Sequence, residues 1–416
     1  MNKCRISNTD MIDLFSLGNL HISDFIPLAK KSETTSDLSL CFSEEDKLVQ
    51  LKTTVLANTL YGKYWYRSGI NQSMRYSLND VVTSIRERCQ LNPNDVWLDI
   101  GSNDGTLLSC VPKNIIKIGI DPVEESYVRE AIRYGDDIIQ DFFSAGVYLN
   151  GKYGQKKAKV VTAIAMFYDL EDPCGFLRDI NEIMDDEGTL ILQLSYTPLM
   201  INQLAFDNIC HEHIFYYSLT SLQNILAKEN FKIVDCTLND VNGGSFRVYI
   251  KKKIANISNF KTSPFRDVAN FRCNSILKYE DTAGFNNISK YTEFYKNIEA
   301  LKHETVSFIK TEKGKGKTIW AYGASTKGNT LLQWYGLDNT LIDGIAERSP
   351  YKYGLKTVGT NIPIYSEDHM RSIQPDYLLI LPWHFVEEFK SREQEYLKSG
   401  GTFIVPCPKF ELISMK

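Results

Sequence analysis

The pattern of apolar and polar positions is clearest near residue 100, where a strand, a turn and a helix follow one another. Val96–Ile100 is apolar enough for a buried strand, and the residues after it are rich in Gly, Ser, Asn and Asp, as turns are. Leu107 and Leu108 suit the helix after the turn. A second apolar run, Ile115–Ile120, ends at Asp121. The pattern therefore predicts a strand–turn–helix–strand unit.

Strand and helix patterns alternate on both sides of this unit. A helix is predicted at Val81–Gln90, and apolar strands are predicted at Lys159–Met166 and Thr189–Leu194. Phe231–Leu238 and Ser245–Ile250 are expected to form an antiparallel pair around a Gly-rich turn. Alternation of this kind favours an α/β fold with a doubly wound sheet.

The alternation restarts near the C-terminus, which predicts a second, smaller Rossmann-like unit. Its expected strands are Thr318–Tyr322, Ile342–Ala346, Tyr377–Leu381 and Gly401–Val405. The residues between the middle unit and the C-terminal unit are polar, and most of them are predicted to be helical. The predicted organisation is a small N-terminal domain at 1–75, a middle domain at 76–255, a helical connection at 256–310 and a C-terminal domain at 311–416.

Composition narrows the possible classes of function. The chain has 416 residues, of which 43% are hydrophobic and 24% charged, as in ordinary globular proteins. A net charge of −4 gives no reason to expect a nucleic-acid partner. No signal peptide or membrane-spanning run is apparent, and the nine scattered cysteines indicate reduced thiols. We therefore expect a cytoplasmic protein without membrane contacts, whose oligomeric state the sequence leaves open.

The turn after the first strand has features of a cofactor site. Its residues are Gly101, Ser102, Asn103, Asp104 and Gly105. The two glycines would let a ligand approach the backbone, and the following helix would add free N–H groups. A carboxylate inside the turn would repel a pyrophosphate but could meet a cationic or amino-bearing ligand. S-adenosylmethionine (SAM) carries a sulfonium and an α-amino group, so we predict a SAM site here, with a plain structural turn as the alternative.

Three further residues that follow predicted strands are candidate contacts of the SAM cofactor. Asp121 is placed to accept hydrogen bonds from a ribose diol. Asp141, after a third short strand, is a candidate adenine contact. Met166 ends a later strand, where ligands of open α/β sheets bind.

The most specific stretch for chemistry is Phe206–Ser218, in which His211 and His213, two of the chain's six histidines, flank Glu212. The spacing differs from H-E-x-x-H, whose histidines share one helix face to bind zinc. A general base is the better interpretation, with one histidine taking a proton while Glu212 or His211 orients it. A structural histidine cluster is the alternative. Asn208 in this stretch is a candidate substrate contact.

The C-terminal unit also contains candidate substrate contacts. Its first turn, Gly323–Asn329, resembles a phosphate-holding loop with backbone N–H groups and Lys327 available, although a purely structural turn is an alternative. The candidates that we select from the ends of its strands and turns are Gly323, Ser325, Lys327, Asn329, Glu347, Arg348, Trp383 and His384.

The N-terminal unit carries an incomplete metal motif and an aromatic cluster. A zinc knuckle needs two C-x-x-C pairs, but Cys4 and Cys41 are followed by Ser7 and Glu44 at the second positions. We therefore predict no metal ligands. The aromatic stretch that includes Tyr64 and Tyr66 could line a ligand or, equally, pack at a domain junction.

Taken together, these motifs resemble the sugar C-methyltransferases that act on nucleotide-linked keto sugars. The resemblance covers essentially the whole chain. It rests on Cys4-Arg5 with Cys41, Leu98–Gly105, Asp207–Ser218, Asn239–Arg247, Gly323–Asn329, Glu347–Pro350 and Leu381–Phe385.

The resemblance implies a zinc-binding N-terminal domain, a class I SAM-binding middle domain and a Rossmann-like C-terminal domain, with the nucleotide sugar between the last two. It assigns the base to His213 beside Glu212, and it implies that an N-terminal tyrosine, best matched by Tyr66 and less well by Tyr64, reaches the sugar. The implied reaction is removal of a proton next to the sugar ketone, followed by methyl transfer from SAM to the enolate.

Two departures from the family pattern stand out. The zinc cysteines are incomplete, and Tyr168-Asp169 occupies a loop in which some members carry histidine. Two other functions remain open at this stage, a sugar O-methyltransferase and a non-catalytic nucleotide-sugar-binding protein. The nucleotide, the sugar, the methylated carbon and its stereochemistry are not specified by the sequence.

Overall fold

The computed structural model describes residues 3–31, 34–56, 60, 65–255 and 265–415. Three sheets with their surrounding helices make up most of this part of the chain. The strands are β1 (Ile12–His21), β2 (Phe25–Pro27), β3 (Thr35–Ser43), β4 (Leu48–Leu51), β5 (Val96–Ile100), β6 (Ile116–Ile120), β7 (Asp137–Ile139), β8 (Ala158–Ile164), β9 (Met184–Ser195), β10 (Phe215–Tyr216), β11 (Phe231–Asn239), β12 (Ser245–Lys252), β13 (Ile319–Tyr322), β14 (Ile345–Glu347), β15 (Leu355–Thr357), β16 (Ile364–Ser366), β17 (Tyr377–Ile380), β18 (Thr402–Val405) and β19 (Glu411–Ser414).

The helices of the described residues cover both faces of the two larger sheets. They are α1 (Gln72–Arg88), α2 (Thr106–Cys110), α3 (Glu125–Ala131), α4 (Ala145–Asn150), α5 (Pro173–Ile183), α6 (Thr197–Asn202), α7 (Leu219–Lys228), α8 (Phe265–Thr282), α9 (Ile288–Gly314), α10 (Thr326–Tyr335), α11 (Glu367–Ile373), α12 (Val386–Arg392) and α13 (Gln394–Lys398).

The middle sheet has seven strands in the order β11-β12-β9-β8-β5-β6-β7. Strands β9, β8, β5, β6 and β7 pair in parallel, whereas β12 runs antiparallel to both β9 and β11. Every residue of β5 is buried, because helices cover both faces of a doubly wound sheet. The predicted doubly wound fold and the antiparallel pair near its end are confirmed.

The C-terminal sheet is smaller, with the order β16-β14-β13-β17-β18-β19. Its first five strands pair in parallel, and β19 closes the edge in antiparallel fashion. The helix after β13 begins at Thr326 rather than at Thr330, because the Ser325 hydroxyl accepts a hydrogen bond from Gly328 N and caps it. Lys327 and Asn329 are therefore helical residues, not turn residues as expected.

The N-terminal strands connect the other two units. The sheet β1-β3-β4-β10 ends in a strand of the middle unit, with Phe215 opposite Gln50 and Tyr216 opposite Val49. A separate two-stranded sheet pairs β2 with β15 of the C-terminal unit. The catalytic candidate Phe206–Ser218 is thus tied to the N-terminal sheet.

Side chains are hydrogen-bonded to one another at the position where the resemblance implies a zinc site. Cys4 Sγ and the Ser43 hydroxyl donate to the buried Asp46 carboxylate at 3.1 and 3.2 Å, and Lys228 Nζ pairs with it at 2.6 Å. Burial raises the pKa of Cys41 to about 11, which disfavours the thiolate that zinc requires. Within the described residues, no three His, Cys, Asp or Glu side chains form a group that could hold a metal ion. The residues therefore do not fit a structural zinc.

The long connection packs on two units. Helix α8 lies against β11, and its buried Glu280 accepts hydrogen bonds from Leu219 N and Thr220 N at the start of α7. Helix α9 lies along the N-terminal sheet, where Tyr295 stacks on Phe15 with ring centroids 4.7 Å apart. Among the described residues, each helix is too short or too polar to span a membrane.

We predict that Glu280→Ala lowers the free energy of unfolding by about 3 kcal/mol, because buried donors lose a carboxylate acceptor. The affected donors are Tyr196 Oη, Leu219 N, Thr220 N and Thr220 Oγ1. Chemical denaturation measures the change, with the exposed Glu304→Ala as control. Equal stability of the two variants would contradict the assigned role of Glu280.

We also predict that protein purified without added metal holds less than one zinc per chain. Two cysteines cannot supply the four ligands of a tetrahedral site, since Glu44 is exposed and the Ser7 hydroxyl is hydrogen-bonded to Thr9. Elemental analysis before and after zinc addition and dialysis measures the content. One tightly retained zinc per chain would be the opposite result.

Candidate functional site

A single cavity of about 860 Å³ lies where the three units meet. It opens at the carboxyl ends of β5, β6, β8 and β9 in the middle sheet and of β13 and β14 in the C-terminal sheet. Residues 65–71 line a further wall. Ligands of doubly wound sheets bind at such strand ends, so this cavity is the candidate active site.

The turn after β5 forms one end of the cavity. Gly101 has φ +73°, and a Cβ atom there would lie 3.3 Å from Met166 Cγ. Gly101, Ser102, Asn103 and Met166 line the cavity, as predicted cofactor contacts should. The buried Ser102 hydroxyl has no hydrogen-bond partner within the described part of the chain, so it is available to a ligand.

Gly105 serves packing rather than ligand approach. Its φ is +77°, and a Cβ atom would lie 2.7 Å from the Cα of Ala131 in helix α3. Gly105 is absent from the cavity lining, so its role as a cofactor contact stays a prediction. The glycine is required because the two helices approach closely at this point.

Asp104 and Asn103 hold residues 66–69 over the turn. The Asp104 carboxylate accepts from Gly69 N at 2.8 Å, and the Asn103 side chain accepts from Ser68 N and donates to the Tyr66 carbonyl. Asp104 therefore does not line the cavity. The sequence predicts that its carboxylate faces a cationic ligand, whereas in the structure this carboxylate holds residue 69.

Asp121 lies in the cavity at the end of β6, where the sequence predicted it. Its carboxylate accepts from Asn103 N at 2.7 Å and from Val123 N at 3.1 Å. Burial raises the pKa of Asp121 despite these bonds. Asp141 lies outside the cavity because it follows β7 on the surface and accepts a hydrogen bond from the next residue's N–H.

Sequence reasoning missed two residues in this region. Asp99, inside the buried strand β5, lines the cavity and accepts from the Thr162 hydroxyl at 2.6 Å, and burial raises its pKa to about 7. Its signal was a carboxylate within an otherwise apolar strand. Ala165 lines the cavity with φ +56°, a strained conformation for alanine that no sequence pattern indicates.

His213 lies at the centre of the cavity wall and is buried. Its Nδ1 is 2.8 Å from the Asn208 carbonyl oxygen. Because a carbonyl oxygen only accepts, Nδ1 carries the proton and Nε2 keeps its lone pair. Burial, together with the charge of Lys327, lowers the pKa of His213 to about 3. The imidazole is therefore neutral and can act as a base.

The two neighbours of His213 in the predicted motif face different surroundings. Glu212 lines the cavity, and burial raises its pKa to about 7. His211 lies outside the cavity, and its Nε2 donates to the Ser36 carbonyl of β3 at 3.0 Å. Its role is to hold the segment against the N-terminal sheet.

Lys327 reaches this segment from the start of α10. It lines the cavity, and its Nζ donates to Asn208 Oδ1 at 2.6 Å. Asn208 itself lies behind the main cavity wall rather than in it. Asp207, which the sequence analysis did not select, does line the cavity and accepts from Trp383 Nε1 at 3.1 Å.

The far end of the cavity belongs to the C-terminal unit. Gly323, Ser325, Glu347, Arg348 and His384 line it, as predicted for substrate contacts. The Glu347 carboxylate accepts from the backbone N–H groups of Ala324, Arg348 and Ser349. The buried Lys352, missed from the sequence, adds a cation whose pKa is lowered by burial.

Two residues predicted in this region lie elsewhere. Trp383 is turned away from the cavity because its indole donates to Asp207. Asn329 donates to the Asp24 carbonyl and joins α10 to the N-terminal unit. Both positions serve the junction between units.

Tyr66 contributes from residues 65–71. It lines the cavity and is 41% exposed, into the open space. Burial around its hydroxyl and the charge of Asp104 raise the pKa of this phenol, so it remains a hydrogen-bond donor at neutral pH. Tyr64 lies outside the described residues. Tyr168 and Asp169 both line the cavity, and the Tyr168 ring contacts His213 with centroids 4.4 Å apart.

Comparison with known families agrees with this arrangement. Residues 70–235 match the model of a methyltransferase domain, and residues 240–408 match that of a C-methyltransferase C-terminal domain. The chain thus resembles C-methyltransferases in two successive domains. It is 27% identical over 419 residues to the C-methyltransferase NovU of Streptomyces niveus, covering 100% of this chain and 97% of that protein.

Two solved methyltransferases with bound S-adenosylhomocysteine resemble part of this chain. They are the plantazolicin methyltransferase BpumL and the magnesium protoporphyrin IX methyltransferase of Synechocystis PCC 6803, each 14% identical with a TM-score of 0.34. They cover 43% and 45% of this chain and 83% and 90% of their own.

The residues at the carboxyl ends of β5 and β6 fit the SAM cofactor that the sequence predicts. The partnerless Ser102 hydroxyl, the Gly101 backbone and the two carboxylates Asp99 and Asp121 form one cradle at the end of the parallel strands. Carboxylates there can accept hydrogen bonds from hydroxyl and ammonium groups of a bound ligand. The β5–β6 end of the cavity is therefore the part that fits a methyl donor.

We predict that Asp121→Ala weakens SAM binding by ~1–3 kcal/mol, because a ribose would lose a charged acceptor. Asp121→Asn should weaken it less, since the amide keeps an acceptor oxygen. Isothermal titration calorimetry measures both. Asp141→Ala is the matched control and should bind SAM as the unaltered enzyme does; an unchanged affinity of Asp121→Ala would remove Asp121 from the site.

Proposed function

We propose that this enzyme transfers a methyl group from SAM to a carbon next to the ketone of a nucleotide-linked keto-deoxysugar. The observation that carries the proposal is one continuous cavity, which runs from Asp121 past His213 to Lys327 and Arg348. A cavity with a donor end, a basic imidazole and a cationic end suits a reaction in which base, methyl donor and anionic sugar nucleotide meet.

The neutral imidazole of His213 is the proposed base. Its hydrogen bond to the Asn208 carbonyl orients the ring and leaves Nε2 as the acceptor of the proton. Glu212 lines the same cavity, and burial raises the pKa of its carboxyl group to about 7.

The proposed step moves one proton and one methyl group. His213 Nε2 takes the proton from the carbon next to the ketone, and the C–H electron pair becomes the enolate. When bound, SAM supplies an electrophilic methyl group on its sulfonium. The enolate carbon then forms the new C–C bond as the S–CH₃ bond breaks, which leaves S-adenosylhomocysteine, and His213 returns its proton to solvent.

Tyr66 is the proposed hydrogen-bond donor to the enolate oxygen. Its phenol stays protonated and it lines the same cavity as His213. A donor aimed at developing negative charge lowers the barrier of such a step. Holding base, donor and sugar together in one cavity adds an orientation effect on the order of 7 kcal/mol.

The cationic end of the cavity is the proposed site of the nucleotide diphosphate. Lys327, Arg348 and Lys352 lie there, together with the capped start of α10. Backbone N–H groups at a helix start, with nearby cations, suit phosphate oxygens. This end belongs to the C-terminal unit, whereas Asp121 belongs to the middle unit.

We predict that His213→Asn reduces turnover ~10²–10⁴-fold, because an amide has no useful basicity. SAM affinity should remain near that of the unaltered enzyme. The decisive measurement is deuterium exchange at the sugar carbon in D₂O with S-adenosylhomocysteine in place of SAM, which isolates deprotonation.

His211→Asn is the control, because an amide can still donate to the Ser36 carbonyl. It should retain exchange. Normal exchange in His213→Asn would clear His213 of the role of base. Methyl transfer to a sugar hydroxyl, without exchange at carbon in the unaltered enzyme, would replace the proposal with O-methylation.

A further inference from the structure

The segment that carries His213 receives a hydrogen bond from a charged side chain of the C-terminal unit. Lys327 Nζ donates to Asn208 Oδ1 at 2.6 Å, and Lys327 lies in the first turn of α10. The helix start is capped by Ser325, whose hydroxyl accepts from Gly328 N at 2.9 Å. The lysine therefore projects from a capped helix start, and its ammonium is held by the hydrogen bond to Asn208.

Asn208 joins this ammonium to the imidazole. Its side-chain oxygen accepts from Lys327, its side-chain amide donates to the Ala205 carbonyl, and its backbone carbonyl accepts from His213 Nδ1 at 2.8 Å. The bonds use different atoms of one residue, so none competes with another. A shift of Lys327 is thus passed to the carbonyl that orients His213.

We propose that Lys327 is a positioning residue for His213, acting through Asn208, in addition to any contact with substrate. The proposal rests on the proposed role of His213 as base. It makes the active site a structure shared between the two Rossmann-like units, since the base lies in one unit and its positioning group in the other.

The charge of Lys327 adds a second effect. Groups around His213 that carry or can carry charge are Glu212, Asp207, Asp169, Tyr168, Tyr216, His384 and Lys327. Lys327 lowers the pKa of both His213 and Glu212. It therefore disfavours a permanently protonated imidazole, and the same charge favours the enolate that forms beside it.

Three substitutions separate the charge from the tether. Lys327→Met removes both, and Lys327→Arg keeps the charge with a different shape. Asn208→Ala removes the acceptor of the Lys327 ammonium but keeps the backbone carbonyl that accepts from His213 Nδ1. Lys398→Met, an exposed lysine of the same unit, is the matched control.

The first readout is an NMR titration of the six histidines in the free enzyme. The His213 signal is assigned by its absence from the spectrum of His213→Asn. Removing a positive charge raises the pKa of a neighbouring histidine, so Lys327→Met should move the His213 midpoint to higher pH. Lys327→Arg, Asn208→Ala and Lys398→Met should leave it nearly unchanged.

The second readout is deuterium exchange at the sugar carbon with S-adenosylhomocysteine bound. Lys327→Met should slow exchange roughly 10²-fold, and its acid limb should move to higher pH. Asn208→Ala should slow exchange less and keep the acid limb in place. Lys327→Arg should restore part of the rate.

A raised KM for the sugar with unchanged exchange rate and unchanged His213 titration would make Lys327 a substrate contact only and overturn the proposal. If Lys327→Met does not fold, normal exchange in both Asn208→Ala and Lys327→Arg would overturn it equally. Absence of exchange in the unaltered enzyme would refute the proposed function instead, and the NMR titration would still decide whether Lys327 acts on His213.

Discussion

The short pairing of β10 with β4 is the constraint on which the site depends. Residues 206–216 form only a 3₁₀ turn and a two-residue strand, so their own backbone does not define a position for His213. The segment is held from outside, since Leu51 N donates to the Ile214 carbonyl and Ile214 N donates to the Tyr168 carbonyl. His211 adds its bond to Ser36. The N-terminal sheet thereby fixes the base between the two larger units.

The succession of strands along the chain can be predicted from local periodicity, because buried parallel strands are nearly continuous apolar runs. Val96–Ile100 was predicted with its observed bounds, and Phe231–Leu238 differs from β11 by one residue. The strand β10 could not be predicted, since two residues carry no periodicity and the pairing partner is more than 160 residues away. The start of α10 was misplaced because its cap, Ser325, lies among glycines that suggested a turn.

The residues of the candidate site also divide into those that could be predicted from the sequence and those that could not. Residue type and position after a strand were enough to indicate that Asp121 and Glu347 would line a cavity. They were not enough for Asp104, whose carboxylate holds residue 69 over the turn, or for Asp141, which is exposed on the surface after β7. In the stretch around Glu212, sequence alone could not say which histidine faces inward, because the segment is neither helix nor regular strand. That choice is made by the contact of His211 with β3.

Asn103 has a consequence for how the two ligands influence each other. Its backbone N–H donates to Asp121, and its side chain holds the segment of Tyr66 through two hydrogen bonds. A ligand that binds Asp121 and one that contacts Tyr66 therefore share a residue. By thermodynamic linkage, whatever factor the methyl donor contributes to the affinity of the acceptor, the acceptor must return to the donor. The order in which the two ligands enter would then change the path of binding but not its total free energy.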